Sequence, residues 1–173
     1  LTFNGSAGTF TQIEGNITGT GNVTINTSGT VNYYNPRNTY TGTTTVQNGT
    51  LLVDTASNPF APTDPAYLKF YGVSGPLVIG DNIGAAETAV VQLGNGVASG
   101  SVNEGIKSTV PVTINKDGFL KLNNNPQTIG TLTMSGGRID GGNSYLFLDA
   151  ANTAVAINPT ATSGPSVIDG SLS

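Results

Sequence analysis

The sequence contains no cysteine, histidine or tryptophan, and it has a single methionine in 173 residues. Without histidine and cysteine there is no imidazole base, no thiolate nucleophile and no zinc site with the usual nitrogen and sulfur ligands. No disulfide can form, so cysteine usage does not indicate a redox compartment. Lysine and arginine total only six and the net charge is −4. Because these basic residues are scattered, a nucleic-acid partner is not expected.

Long apolar runs are also missing. No stretch approaches the roughly 20 apolar residues that a membrane-spanning helix needs, and the first residues lack the features of a signal peptide. We therefore expect any targeting signal or membrane anchor to lie outside this chain. Charged residues make up only 9% of the sequence and hydrophobic residues 36%. Disorder is not indicated, since disordered chains combine few apolar residues with many charges.

Neutral polar residues take the place of the missing charges, with 25 threonines, 19 asparagines and 24 glycines. Threonine is β-branched and fits an extended strand, whereas asparagine and glycine tolerate the left-handed backbone of tight turns. The composition therefore predicts an all-β chain with many short strands and many turns. Five of the seven residues from Thr39 to Thr45 are threonine, and we interpret them as alternating strand positions.

Apolar residues recur at every second position, which is the period of a strand with one buried face. Glycine-containing pairs such as Ser28-Gly29, Asn48-Gly49 and Asp117-Gly118 are predicted to break these strands. Three prolines in residues 55–66 predict an inserted loop, and residues 83–91 are assigned mostly to loop and strand. Val46, Leu51 and Val53 are predicted to point inward. The alternating apolar positions include Val23, Ile25, Val31, Tyr33, Val46, Leu51, Val53, Ile129, Leu132 and Met134.

An internal repeat without a strict period runs through the chain. The segments VTINTSGTVNY from Val23, TTVQNGTLLV from Thr44 and VTINKDGFLKL from Val112 each contain a short strand, a polar turn with glycine and a second strand. This pattern is typical of a solenoid whose successive layers differ in loop length. Each strand should pair with the equivalent strand of the next layer. About seven to nine layers are expected in all.

A pattern of glycine, threonine and apolar residues runs through residues 17–54. Its positions are Gly19, Gly21, Val23, Gly29, Val31, Asn38, Tyr40, Gly42, Thr44, Val46, Gly49, Thr50 and Leu51. At these positions residues 17–54 resemble the autotransporter-associated β-strand repeat of bacterial surface proteins, and residues 112–148 are more loosely similar to the segments that follow such repeats. Ile25 and the stretch from Tyr33 to Arg37 depart from the usual pattern. The resemblance implies a right-handed parallel β-helix, an extracellular or cell-surface location and a place in a longer chain.

The whole chain, residues 1–173, is predicted to be one β-helix module and one unit of a longer array. Written head to tail, the two termini join into an unbroken alternation of apolar and small residues that contains Ile168, Leu172, Leu1 and Phe3. Open strand edges are normally covered, so these four residues are predicted to make end-to-end contacts with copies of the chain or adjoining repeats. The expected function is structural: the module gives length and stiffness to a surface protein or filament.

The alternative function is a carbohydrate-binding or adhesive module, because exposed aromatic rings can stack on sugars or anchor a protein contact. Column-wise packing inside the fold is the competing interpretation of the same rings. The N-x-S/T triplets that begin at Asn4, Asn16, Asn22, Asn26 and Asn48 are interpreted as strand and corner residues rather than glycan acceptors. The aromatic residues proposed for partner contact are Tyr33, Tyr34, Tyr67, Phe70 and Tyr71.

An enzyme is the least favoured alternative, and no cofactor is expected. A polysaccharide-degrading site would need two facing carboxylates, for which Asp140 and Asp149 are the best pair. Aspartates at strand ends more often bond their own backbone in turns. Residues 141–148 resemble a calcium-binding glycine-rich repeat only weakly, and no metal site is assigned. Calcium bound by scattered oxygen ligands such as Asp64, Asp81 and Asp169 stays open.

Overall fold

The protein is described here by a computed structural model. It describes residues 1–34, 37–54, 71–94, 105–149, 151, 154–160 and 162–172. This part of the chain is all-β and contains no helix. Its eleven strands form one sheet in which every strand pair is parallel. The all-β prediction and the parallel pairing are confirmed, whereas the predicted loop at 55–66 lies outside the described residues.

The strands vary from three to 17 residues in length. The longest ones pair along their first and second halves with different short strands. The strands are β1 (Thr2–Gly5), β2 (Phe10–Ile13), β3 (Val23–Tyr34), β4 (Thr44–Asp54), β5 (Leu77–Ile79), β6 (Ala89–Leu93), β7 (Val112–Lys121), β8 (Gln127–Ile129), β9 (Leu132–Leu148), β10 (Val155–Ile157) and β11 (Val167–Leu172).

Successive segments of the chain lie on one another in sequence order, and we call each such segment a layer. Val23 is aligned with Thr44, Thr44 with Leu77 and Leu77 with Val112. The three repeats found in the sequence therefore begin at equivalent positions of the structure. One file of aligned residues passes through seven layers and contains Thr2, Thr24, Thr45, Val78, Thr113, Thr133 and Ala156.

The core consists of two main files of apolar side chains that run through the layers. Alternation along each strand turns every second side chain inward, and parallel pairing in register places the inward residues above one another. Burial of each such side chain stabilises the fold by about 1.5–3 kcal/mol. The first file contains Ile25, Val46, Ile79, Ile114 and Met134, and the second contains Val31, Leu51, Val91, Leu120 and Ile139, all of them buried.

Side-chain amides link the layers where regular strands are short. The Asn38 amide nitrogen donates to the carbonyl oxygen of Gly72 at 2.7 Å, and its oxygen accepts from the Ile17 N–H at 2.7 Å. Gln127 bonds both backbone groups of Ile106, with its oxygen accepting at 3.1 Å and its nitrogen donating at 2.7 Å. Both amides are buried, and they satisfy backbone groups that have no strand partner there.

The sequence predicts that the glycine-containing pairs end strands, and this prediction is wrong. Ser28-Gly29, Asn48-Gly49 and Asp117-Gly118 lie within β3, β4 and β7. The strand register shifts near these positions, between Asn26 and Thr30 and between Lys116 and Phe119. The chain therefore turns a corner inside a continuous strand, because glycine permits both the bend and the close approach of the neighbouring layer.

Candidate functional site

The two end layers are the candidate functional site. β1 and β2 form the first layer and pair only with β3, whereas β10 and β11 form the last layer and pair only with β9. Within the described ranges, the outer edges of these four strands have no strand partner. Unpaired edges of this kind are templates for the addition of further strands.

Apolar side chains on the end layers extend the files of the core. Phe3 is aligned with Ile25 at one end, and Ile157 with Met134 at the other. Ile168 continues the second file next to Ile139, and Leu172 is aligned with Leu146. Ile157 is 47% exposed and Leu172 is 40% exposed, although their neighbours in the next layer are buried. The core is therefore open to solvent at the last layer.

The four end residues chosen from the sequence all lie in these layers. Leu1 and Leu172 are exposed, whereas Phe3 and Ile168 are partly buried and pack against the core. Sequence reasoning missed Val155 and Ile157 of β10, which are aligned with the buried Leu132 and Met134 of β9. The alternation of these two residues with Ala154 and Ala156 is the signal that could have identified them.

Arg138 holds the last layer to a loop of an earlier one. Its guanidinium lies 2.9 Å from the Asp169 carboxylate and 3.2 Å from that of Glu87. A third carboxylate, that of Asp140, lies 3.8 Å away, and the Phe119 ring packs beneath the guanidinium at 5.1 Å. The group is solvent-exposed, so water and dissolved salt weaken each ion pair.

The two aspartates considered for catalysis each accept a hydrogen bond from a nearby backbone group. Asp140 accepts from the Gly142 N–H at 2.8 Å, and Asp149 accepts from the Ala151 N–H at 3.3 Å. These bonds to the second following residue are typical of aspartate in turns. Asp81 makes the same bond to Ile83 at 2.9 Å. In the part of the chain that is described, no three carboxylates form a group that could hold a metal ion.

The aromatic residues proposed for partner contact are not brought together. Tyr33 is fully buried, so its assignment as a partner contact is wrong: the residue occupies an inward strand position in line with Val53. Tyr34 is exposed, Tyr71 is half-buried, and Tyr67 and Phe70 lie outside the described residues. Three exposed aromatic residues that we had not selected are Phe10, Tyr145 and Phe147. The last two rings contact each other, with 5.8 Å between their centroids.

Replacement of Tyr33 by phenylalanine is expected to stabilise the protein by about 1 kcal/mol at neutral pH. The Tyr33 hydroxyl is buried and has no hydrogen-bond partner among the described residues, and removing such a group relieves its desolvation cost. Urea titrations followed by circular dichroism measure the change. Tyr34→Phe is the matched control, since Tyr34 is exposed and should leave the free energy of unfolding unchanged. A loss of stability in Tyr33→Phe would contradict the assigned environment.

The buried tyrosines also predict a loss of stability in alkali. Burial raises the pKa of Tyr40 to about 12, although its hydrogen bond with Thr44 acts in the opposite direction. Burial likewise raises the pKa of Tyr33, and the neighbouring Tyr40 adds to this. Above pH 10 the unfolded chain releases these protons while the folded chain retains them, so the free energy of unfolding falls as the pH rises from 10 to about 12. In Tyr33→Phe this fall should be smaller.

Comparison with known proteins identifies no relative. No protein-family model matches the chain, and no curated protein or solved structure matches it significantly. The described residues include no helix with the length and apolar character that crossing a membrane requires.

Proposed function

We propose that this chain is a β-solenoid, a right-handed parallel β-helix, that serves as a structural module and extends end to end. The right-handed sense follows from the strong preference for right-handed crossovers between parallel strands. Seven parallel layers in sequence order support the solenoid, and the resemblance of residues 17–54 to the autotransporter-associated repeat agrees with it. We further propose an extracellular or cell-surface location and a role in giving length and stiffness to a surface protein or filament.

The observation that carries this proposal is the continuity of the core files through both end layers. Phe3 and Ile13 at one end, and Ile157, Ile168 and Leu172 at the other, occupy positions whose neighbours in the next layer are buried. A further layer on either edge would satisfy the backbone groups and cover these side chains at the same time. The same strand spacing would then continue across the junction.

The partner at each end is proposed to be a second copy of the chain or an adjoining repeat with the same geometry. Contact between the first layer of one copy and the last layer of another is heterologous and does not close on itself, so it generates filaments. Continuous backbone ladders along the axis would resist bending. The low charge of the chain, 9% charged residues, limits repulsion between neighbouring copies.

Sedimentation velocity across a concentration series tests the proposed contact. The unmodified chain should associate into a series of rods whose length increases with concentration. Ile157→Lys should keep it monomeric, because the lysine ammonium would have to be buried without a partner in the junction. Its folding should be little affected, since Ile157 is 47% exposed in the single chain.

Ile83→Lys is the matched control. Ile83 is 72% exposed but lies in the loop between β5 and β6 and not in a strand of either end layer. This variant should associate like the unmodified chain, and electron micrographs should show the same fibres. A monomeric unmodified chain at all concentrations, or equal association of both lysine variants, would contradict end-to-end stacking.

A further inference from the structure

A groove lies along one side of the stack, between the first layers and the loop of residues 81–88. It has a volume of about 500 Å³ and continues into a second depression of about 360 Å³. Both volumes lie in the range of sites that bind small molecules. The floor includes four aligned outward residues from successive layers, Phe10, Thr30, Thr50 and Val90. Three strand spacings separate the first from the last, a length of about 14 Å.

The loop of residues 81–88, which forms one wall of the groove, is held in place by two independent contacts. Near one end of the loop, the buried Asp117 carboxylate accepts hydrogen bonds from the backbone N–H groups of Asp81 and Asn82, at 3.2 and 2.9 Å. Near the other end, Glu87 forms an ion pair with Arg138 at 3.2 Å. The groove is therefore formed before any ligand arrives, which lowers the cost of binding.

The lining of the groove favours an uncharged ligand. No lysine or arginine lines it among the residues that the structure describes. Of its two carboxylates, that of Glu87 is paired with Arg138 and that of Asp81 accepts the Ile83 N–H. An anionic ligand would lie beside these carboxylates and would find no lysine or arginine in the described lining, and like charges placed together are unfavourable.

Several other residues of the groove offer hydrogen-bond donors and acceptors, and one offers an aromatic ring. The side chains of Asn26, Gln47, Thr30 and Thr50 form no hydrogen bond with any described residue, so they can bond a ligand. The Phe10 ring is 59% exposed at one end of the groove. A ring face beside a row of hydroxyl and amide groups is the combination that binds sugar rings, since the apolar side of a sugar stacks while its hydroxyls form hydrogen bonds.

We propose that this groove binds a segment of a neutral polysaccharide, with one sugar ring stacked on Phe10 and its neighbours bonded by the hydroxyls and amides of the following layers. The axis of the groove follows the stack, so a linear polymer can lie along it. Its described lining does not include Tyr34 or Tyr71. It also does not depend on end-to-end stacking, so Ile157→Lys should bind as the unmodified chain does.

Native gel electrophoresis of the full chain in gels that contain polysaccharide tests the proposal. The neutral probes are dextran, amylose, xyloglucan and galactomannan, and the acidic probes are polygalacturonate and alginate. At least one neutral probe should retard the chain, and Phe10→Ala should weaken that binding about tenfold through loss of ring stacking. Thr50→Arg should abolish it by filling the middle of the groove.

Two matched variants control for nonspecific effects. Phe147→Ala removes an exposed ring from β9. Thr113→Arg places the same charge on the outward file that contains Thr2 and Ala156, outside the described lining of the groove. Both variants should bind like the unmodified chain. Circular dichroism establishes that each variant is folded. The proposal is overturned if no neutral probe retards the chain, if the acidic probes bind more strongly, or if the control variants lose as much binding as the groove variants.

Discussion

Gly49→Ala should lower the free energy of unfolding by about 3 kcal/mol. Gly49 lies within β4 with φ of +81°, a left-handed conformation that costs a residue with a Cβ atom about 1 kcal/mol. A Cβ atom at this position would also overlap with the carbonyl oxygens of Thr27 and Gly29 in the layer beside it. Relieving this overlap requires a backbone shift that costs about 1–3 kcal/mol more. Guanidinium chloride titrations followed by circular dichroism measure the sum.

Gly8→Ala separates these two contributions. Gly8 has nearly the same φ, +78°, but a Cβ atom there would meet nothing within 4 Å. This variant should lose only about 1 kcal/mol, from backbone strain alone. Equal decreases in the free energy of unfolding for Gly8→Ala and Gly49→Ala would contradict the close approach of neighbouring layers at the Gly49 corner.

Asp117→Ala, as a separate single substitution, should also lower the free energy of unfolding by about 3 kcal/mol. The Asp117 side chain is fully buried in β7, and its two oxygens accept hydrogen bonds from Asp81 and Asn82 of the preceding layer. Hydrogen bonds to a charged group contribute about 1.5–3 kcal/mol each, and their loss leaves two backbone donors unpaired. Denaturant titration measures the effect. The loss of the loop anchor should also weaken any binding in the groove.

Two further variants make the Asp117 prediction specific. Asp117→Asn retains the volume and one acceptor oxygen, so its loss of stability should lie between those of the alanine variant and the unmodified chain. Asp149→Ala removes a half-buried aspartate whose carboxylate accepts only the nearby Ala151 N–H among the described residues. Its effect should stay within about 0.5 kcal/mol. Equal losses in Asp117→Ala and Asp149→Ala would contradict the anchoring role of Asp117.

The repeat unit of the fold could be predicted from the sequence because its signals are local. Val46, Leu51 and Val53 alternate with polar residues, and all three are buried. In the threonine-rich stretch before them, Thr39 and Thr41 are exposed, Thr43 and Thr45 are half-buried, and Thr44 is buried. Thr44 has the inward register of Val46 and is aligned with the buried Val23 and Leu77. Its hydroxyl bonds the Tyr40 hydroxyl, a contact that alternation does not reveal.

Features that depend on contact between distant layers could not be predicted. Asp117 reads as a turn residue in the sequence, yet its partners Asp81 and Asn82 lie 36 and 35 positions away. Tyr33 was chosen for its aromatic ring, although its inward register was visible from the alternation with Val31. The groove could not be predicted from the sequence either, because Phe10, Thr50 and Val90 are distant in the chain and come together through parallel strand pairing.

The most direct test of end-to-end stacking is disulfide cross-linking between copies. Thr2 and Ala156 are the first and last members of one outward file, and the natural chain has no cysteine that could interfere. In a continuous stack, residue 2 of one copy and residue 156 of the next would lie one strand spacing apart, about 4.8 Å, which a disulfide can bridge. The Thr2→Cys, Ala156→Cys double variant should therefore form a ladder of covalent oligomers on mild oxidation, whereas Thr2→Cys, Val78→Cys should not. Monomers with two free thiols after oxidation of the first variant would contradict the account.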